Sequence, residues 1–262
     1  PQTFYKKGGV RVKKQTVRVW MNVVAVIATI TINGLANALP LNGLTTGEIS
    51  DRFDVYFVPA GYVFSIWGVI YLGLIAFALY QALPSQRDNP RLVRMGAVFA
   101  LSCVANIAWL FLWHYEQFPL TLVAMLALLG FLIAVYLRLG IGREAVPAAE
   151  QWMVRVPFSI YLGWVSVATI ANVTSLLDYL GWNGWGISEV GWTVVMLVIG
   201  AVLTTVVSLS RRDVAYALVI VWAFVGIAVK HAGTPTVAIT AVVAAVWAAG
   251  AGAVAVVRRL WI

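Results

Sequence analysis

Eight long apolar runs, none with a formal charge near its middle, constrain this chain more than any other feature. Peptide groups in hydrocarbon find no water to bond, so such runs persist only as helices that satisfy their own backbone. The runs cover about residues 17–39, 59–83, 92–113, 119–139, 156–177, 190–209, 214–229 and 236–257. At about 1.5 Å per residue most of them cross about 30 Å of hydrocarbon; the seventh is short unless its ends extend. All nine prolines fall at the ends of these runs or between them, where a missing amide hydrogen is tolerated. With 62% apolar and 11% charged residues among 262, too little polar surface is left to cover a water-soluble globule. The expected fold class is therefore all-α, a polytopic bundle of eight transmembrane helices with no room for a separate catalytic domain. The single cysteine, Cys103, lies inside a run, so an intrachain disulfide and a thiolate metal cluster are both excluded.

The net charge of +8 becomes informative once it is sorted between the two sides of a membrane. Assigning alternate connections to opposite sides puts sixteen basic residues on one side, among them Lys6, Lys7, Arg11, Lys13, Lys14, Arg91, Arg155, Arg211, Arg258 and Arg259. Only Arg52 and Lys230 fall on the other. The acids Asp88, Glu144, Glu150 and Asp213 join the basic side, giving +12 against −4, which sums to +8. Positive charge is retained in the cytoplasm, so both termini are expected there, in what reads as a bacterial cytoplasmic membrane. The basic excess is then an insertion signal with an attraction to anionic headgroups, not a nucleic-acid footprint. The first run lacks a small-residue cleavage site and reads as a retained span; the polar, Gly-containing tail before it would ordinarily be mobile.

Inside the spans, asparagine and tryptophan replace the ionisable groups that ion-coupled pumps use. Trp20, Trp152 and Trp261 fall at the inner boundary and Trp113, Trp182, Trp185 and Trp192 at the outer one, as in any aromatic belt. Trp67, Trp109, Trp164, Trp222 and Trp247 are deeper, where an indole N–H needs a partner. Counting inward puts Asn33, Asn106, Asn172 and Trp67 all roughly 8–12 Å below the outer boundary. Residues three or four apart share a helix face: Asn33 with Asn37, Asn106 with Trp109 and Trp113, Tyr161 with Trp164, Ala168 and Asn172, and Phe64 with Trp67 and Tyr71. Two readings fit that layer. The amides act as interhelical glue at about 0.6 kcal/mol each, or they line a mostly apolar pocket that orients a flat hydrophobic ligand.

At these residues the chain resembles the TspO/MBR family, the tryptophan-rich sensory or translocator proteins. P-A-G-Y-V-F-S-I-W-G-V-I-Y, from Pro59 to Tyr71, is similar to that family's Pro-Pro-x-Trp-x-Phe…Trp-x-x-x-Tyr signature, with Ala60 for the second proline and Tyr62 for the tryptophan. N-I-A-W-L-F-L-W, from Asn106 to Trp113, resembles its Asn-x-x-Trp element, and Y-L-G-W-V-S-V-A-T-I-A-N, from Tyr161 to Asn172, keeps every spacing of its fifth helix. The resemblance implies a five-helix unit over residues 17–178, preceded by a basic tail, 1–16, and followed by a three-helix extension, 179–262. It further implies that Trp67, Asn106, Trp109, Tyr161, Trp164, Ala168 and Asn172 line a pocket for porphyrins, sterols or synthetic aromatic ligands. Asn33 and Tyr71 join them as candidate binding residues by depth and shared face.

The leading functional expectation is a non-enzymatic membrane binder or sensor of a tetrapyrrole or isoprenoid-like lipid. No cofactor or metal is required, although a porphyrin, pigment or lipid could occupy the pocket. An accessory subunit of a larger membrane assembly, photosynthetic or respiratory, is the alternative. It differs in where the small-residue face of the eighth run (Ala241, Ala245, Ala248, Ala249, Gly252) points, and a homodimer is a further possibility. Catalysis is not expected: no G-x-S-x-G, H-E-x-x-H, phosphate loop or deep carboxylate pair is present, and porphyrin modification is the one activity the resemblance suggests. His114 and His231 fall at the outer boundary, where an imidazole can stay solvated.

Overall fold

The computed structural model describes residues 2–260, with side chains from 15 to 257. Among these residues every regular element is helical. The long helices are α1 (Gln2–Ala38), α2 (Ile66–Ala82), α3 (Val98–His114), α4 (Phe118–Arg138), α5 (Val156–Tyr179), α6 (Glu189–Arg211), α7 (Val214–Lys230) and α8 (Pro235–Leu260). Six segments are long and apolar enough to cross a membrane, α2 being counted with the 3-10 turn Gly61–Ser65 that leads into it; α3 and α7 are shorter, at 17 residues each. The side chains of Lys6, Lys7, Arg11, Lys13, Lys14, Arg258 and Arg259, and all of Trp261, lie outside the described residues.

α1 shows why the bundle suits lipid. Its buried positions Asn22, Val26, Thr29, Asn33 and Ala36 recur at helical spacing, while Val17, Val24, Ile27 and Leu35 point outward. Polar inside and apolar outside reverses the arrangement of a soluble helix and matches a medium as apolar as leucine. α1 packs on α2 and α3, and α3 pairs with α4. α5 is the centre: it touches α2, α4 and α7, and its buried residues occupy every side, from Phe158 through Tyr161, Trp164 and Val165 to Asn172. α6 and α8 pack on α7. α7 reaches α5 at Gly163, where an added Cβ would stand 3.1 Å from Val219.

Contacts between loops define two ends. Gln15 meets Asp88, Arg18 donates to the Arg87 carbonyl, and Arg94 pairs with Glu144, so the start of α1 shares an end with residues 83–97 and 139–150. Gly142 joins them by packing on the Arg211 carbonyl. At the other end, Lys230 reaches Asp51 at 3.0 Å and Arg52 reaches Glu116. Two acids counted as surface charge on the basic side are buried. Glu150 takes hydrogen bonds from Arg91 and Asn89; Asp213 caps α7 and accepts the hydroxyls of Tyr136 (2.8 Å) and Ser159 (2.6 Å).

Three boundaries depart from the apolar runs. The third run breaks at Gly96, whose φ of 60° separates a short helix, Pro90–Met95, from α3. A left-handed glycine costs no apolar residue, so hydropathy passes over it. The second run opens as a 3-10 turn, Gly61–Ser65, directly after Pro59 and Ala60. The tail before residue 17 continues the helix of α1. On α8, Ala241, Ala245, Ala248 and Gly252 are buried against the chain's own helices, and Ala249 is exposed with Trp247.

Candidate functional site

Four helices and one loop line a cavity of about 70 Å³. α2 contributes Trp67; α3 contributes Asn106, Trp109 and Trp113; α4 contributes Met125 and Leu128; α5 contributes Trp164, Ala168 and Asn172. Residues 41–65 close it from the end opposite the termini through Thr46, Ser50, Val58 and Pro59. Six of the nine sequence candidates therefore meet at one cavity. The other three stand behind its wall. Tyr71 stacks on Trp67 (centroids 5.6 Å, 24° between planes), Tyr161 meets the same indole edge-on at 6.0 Å, and Asn33 lies beneath Asn106.

The polar chemistry is one-sided. Asn33 Nδ2 donates to Asn106 Oδ1 at 2.8 Å, and Asn172 Nδ2 donates to Thr121 Oγ1 at 2.9 Å. Each cavity amide is thus held by one half. The other halves, Asn106 Nδ2 and Asn172 Oδ1, complete no hydrogen bond of normal geometry, although Asn106 interacts with the Tyr161 hydroxyl; Trp109 Nε1 and Trp164 Nε1 have no partner. Three donors and one acceptor, all buried, belong to residues lining one small apolar space. The remaining deep tryptophans are different: Trp222 Nε1 donates to the Val63 carbonyl at 3.0 Å and Trp247 Nε1 to Thr205 Oγ1 at 2.9 Å, on the lipid-facing side.

The closing loop is pinned at several points. A capping box at Thr45 and Glu48 starts its short helix Thr46–Ser50, and the Thr45 backbone and hydroxyl hold the Glu48 carboxyl below its usual value. Ala60 N–H donates to the Gly226 carbonyl of α7 at 3.1 Å. Gly226 is required there, because a Cβ would meet Val63 at 2.2 Å. His114, expected to stay solvated, is buried with 1% exposure. Its Nδ1 lies 3.0 Å from the Leu41 carbonyl and so donates, which leaves Nε2 to accept from Thr46 Oγ1 at 3.0 Å. Polar loop carbonyls over the bundle need donors, and the imidazole supplies one that a boundary position in the sequence does not reveal. Trp113 likewise leaves the aromatic belt: it is buried, stacks on Trp109 at 5.5 Å and donates to the Thr46 carbonyl. Its spacing of four from Trp109 was the available signal.

An all-helical bundle with lipid-facing apolar surfaces and an indole- and amide-lined cavity between its helices defines an integral membrane protein. The sequence matches the family described as TSPO-like protein over residues 19–254, and the chain belongs to that family. The match runs through α6, α7 and α8, past the 17–178 stretch that carries the resemblance. No curated protein and no solved structure matches the chain.

Proposed function

We propose that this protein binds or senses a flat hydrophobic molecule, a tetrapyrrole or isoprenoid-like lipid, whose polar edge accepts hydrogen bonds. The supporting observation is the set of groups at one cavity that complete no hydrogen bond of normal geometry: Asn106 Nδ2, Trp109 Nε1, Trp164 Nε1 and Asn172 Oδ1. More than about 90% of buried polar groups in proteins are paired, and leaving one unpaired costs about 1–3 kcal/mol. A guest offering carbonyl or carboxylate oxygens answers three donors and one acceptor better than hydrocarbon does. The volume of about 70 Å³ suits about two waters. A larger guest therefore enters with residues 41–65 displaced, and indole faces replace the loop's contacts with stacking. Binding needs no bond-making step and no metal. The sixteen-to-two division of basic charge supports a cytoplasmic position for both termini, in a bacterial cytoplasmic membrane.

The test is a porphyrin titration of the full chain in nanodiscs, followed by tryptophan quenching. Asn106→Ala and Trp164→Phe are each expected to weaken binding about tenfold, equivalent to about 1.4 kcal/mol. Asn33→Ala, which removes the hydrogen bond to Asn106 together with one to the Thr29 carbonyl, should weaken it a few-fold. Unchanged affinity in Asn106→Ala and Trp164→Phe, with unfolding temperatures preserved, removes this pocket from the account.

A further inference from the structure

We propose a second site, for a quaternary ammonium group, at the end of the bundle opposite the termini. A cavity of about 410 Å³ opens there between the last turn of α5, the first turns of α6 and residues 55–57 of the closing loop. It is separate from the Trp/Asn cavity and shares no lining residue with it. Its walls include the indoles of Trp182 and Trp192 and the ring of Tyr56, and its rim carries the carboxylates of Asp178 and Glu189.

Trp182 and Trp192 pack in one aromatic cluster with Trp185, which lies outside the cavity and is 77% exposed. Trp182 touches both Trp185 and Trp192 at 5.3 Å, and Trp185 meets Trp192 at 6.1 Å. The turn that holds them is built for this. Trp185 has φ of 53°, a left-handed conformation unfavourable for a bulky residue, between Gly184 and Gly186, which are also left-handed. Asn183 Oδ1 accepts its N–H at 3.1 Å, and Trp192 Nε1 donates to the Gly184 carbonyl at 2.9 Å. With that N–H occupied, Trp192 presents its ring and not its donor.

The charge at this end favours a cation. Lys230 is paired with Asp51 and Arg52 with Glu116, whereas Asp178 and Glu189 form no ion pair among the described residues. The kind of cation follows from the lining. Among the described residues no group of three or more His, Cys, Asp or Glu side chains could hold a metal ion, and four aromatic residues, Tyr56, Phe57, Trp182 and Trp192, line the cavity beside the two carboxylates. A quaternary ammonium donates nothing, sheds its hydration easily and is held by ring faces with a nearby negative charge. Its source is either a choline lipid headgroup or a free solute.

Saturation-transfer NMR of choline methyl protons, on the full chain in uncharged maltoside micelles, tests this without relying on tryptophan emission. Choline is expected to bind saturably, and 3,3-dimethylbutanol, its uncharged isostere, at least about tenfold more weakly. The exposed pair Asp178→Asn with Glu189→Gln should weaken choline about tenfold and leave the unfolding temperature unchanged. Trp182→Leu should abolish the transfer. Adding phosphatidylcholine identifies the source: competition with choline points to the lipid headgroup, and undisturbed choline binding to the free solute. Both results keep the ammonium site. No saturable transfer, equal binding of the isostere, or full choline affinity in the carboxamide pair overturns it. Porphyrin binding, which uses the other cavity, is unaffected by any of these results.

Discussion

At the scale of residues, single groups do two jobs. Asn106 and Asn172 are bound to the bundle through one half of the carboxamide and leave the other half at the cavity, so glue and pocket describe the same side chains. Their type and depth were readable from spacing in the sequence; which half faces inward was not, because that depends on Asn33 and Thr121 from other helices. His231 gives a pH dependence. Burial holds its imidazole below the usual 6.5, the Val58 carbonyl opposes this, and neighbouring Lys230 adds to the lowering. The folded chain thus keeps the ring neutral where the unfolded chain has begun to protonate it. Stability from this group is full above the unfolded value near 6.5 and is lost as pH falls through the lower folded value. The unfolding temperature in detergent is expected to drop as pH falls below the unfolded value near 6.5, and His231→Gln to flatten that drop. A slope identical in His231→Gln and the parent would assign it to other groups.

At the scale of elements, the closing loop and α7 form one unit. The Ala60–Gly226 backbone bond, the Trp222–Val63 bond and the Lys230–Asp51 pair all tie residues 51–63 to α7. This is a role for the helices beyond residue 178: they anchor the cover of a cavity built by α2 to α5. Gly226→Ala inserts a methyl group where Val63 already stands 2.2 Å away, so the loop must lift. Overpacking of this kind costs about 1–3 kcal/mol. Stopped-flow quenching should show porphyrin associating several-fold faster in Gly226→Ala, with the helical content unchanged by circular dichroism. Association at the parental rate would separate loop docking from ligand access. Hydropathy marks residues 59–63 as apolar and places them in the second run, but it does not show that they and residues 51–58 dock on α7, because that depends on partners in a distant helix.

At the scale of the whole molecule, sidedness is the central property. Loop contacts gather the start of α1, residues 83–97, residues 139–150 and the end of α6 at one end, in agreement with the alternation drawn from charge. A periplasmic-active reporter fused after residue 262 should stay inactive, and one inserted in the 182–188 turn should be active; the opposite pattern would invert the orientation. Sequence alone determined the all-helical class, the positions of the eight runs apart from the extension of α1 before residue 17 and the break at Gly96, and six of the residues at the cavity. Those features follow from local rules: the cost of bare peptide groups in hydrocarbon, and the 3.6-residue period that groups side chains on a face. Only tertiary structure decided that the small-residue face of α8 turns inward, that Glu150, Asp213 and His114 are buried, and that a loop covers one end of the cavity. Each of those depends on partners far apart in the chain, such as Asp213 with Tyr136 and Ser159, and no local pattern encodes which distant group will satisfy a buried one.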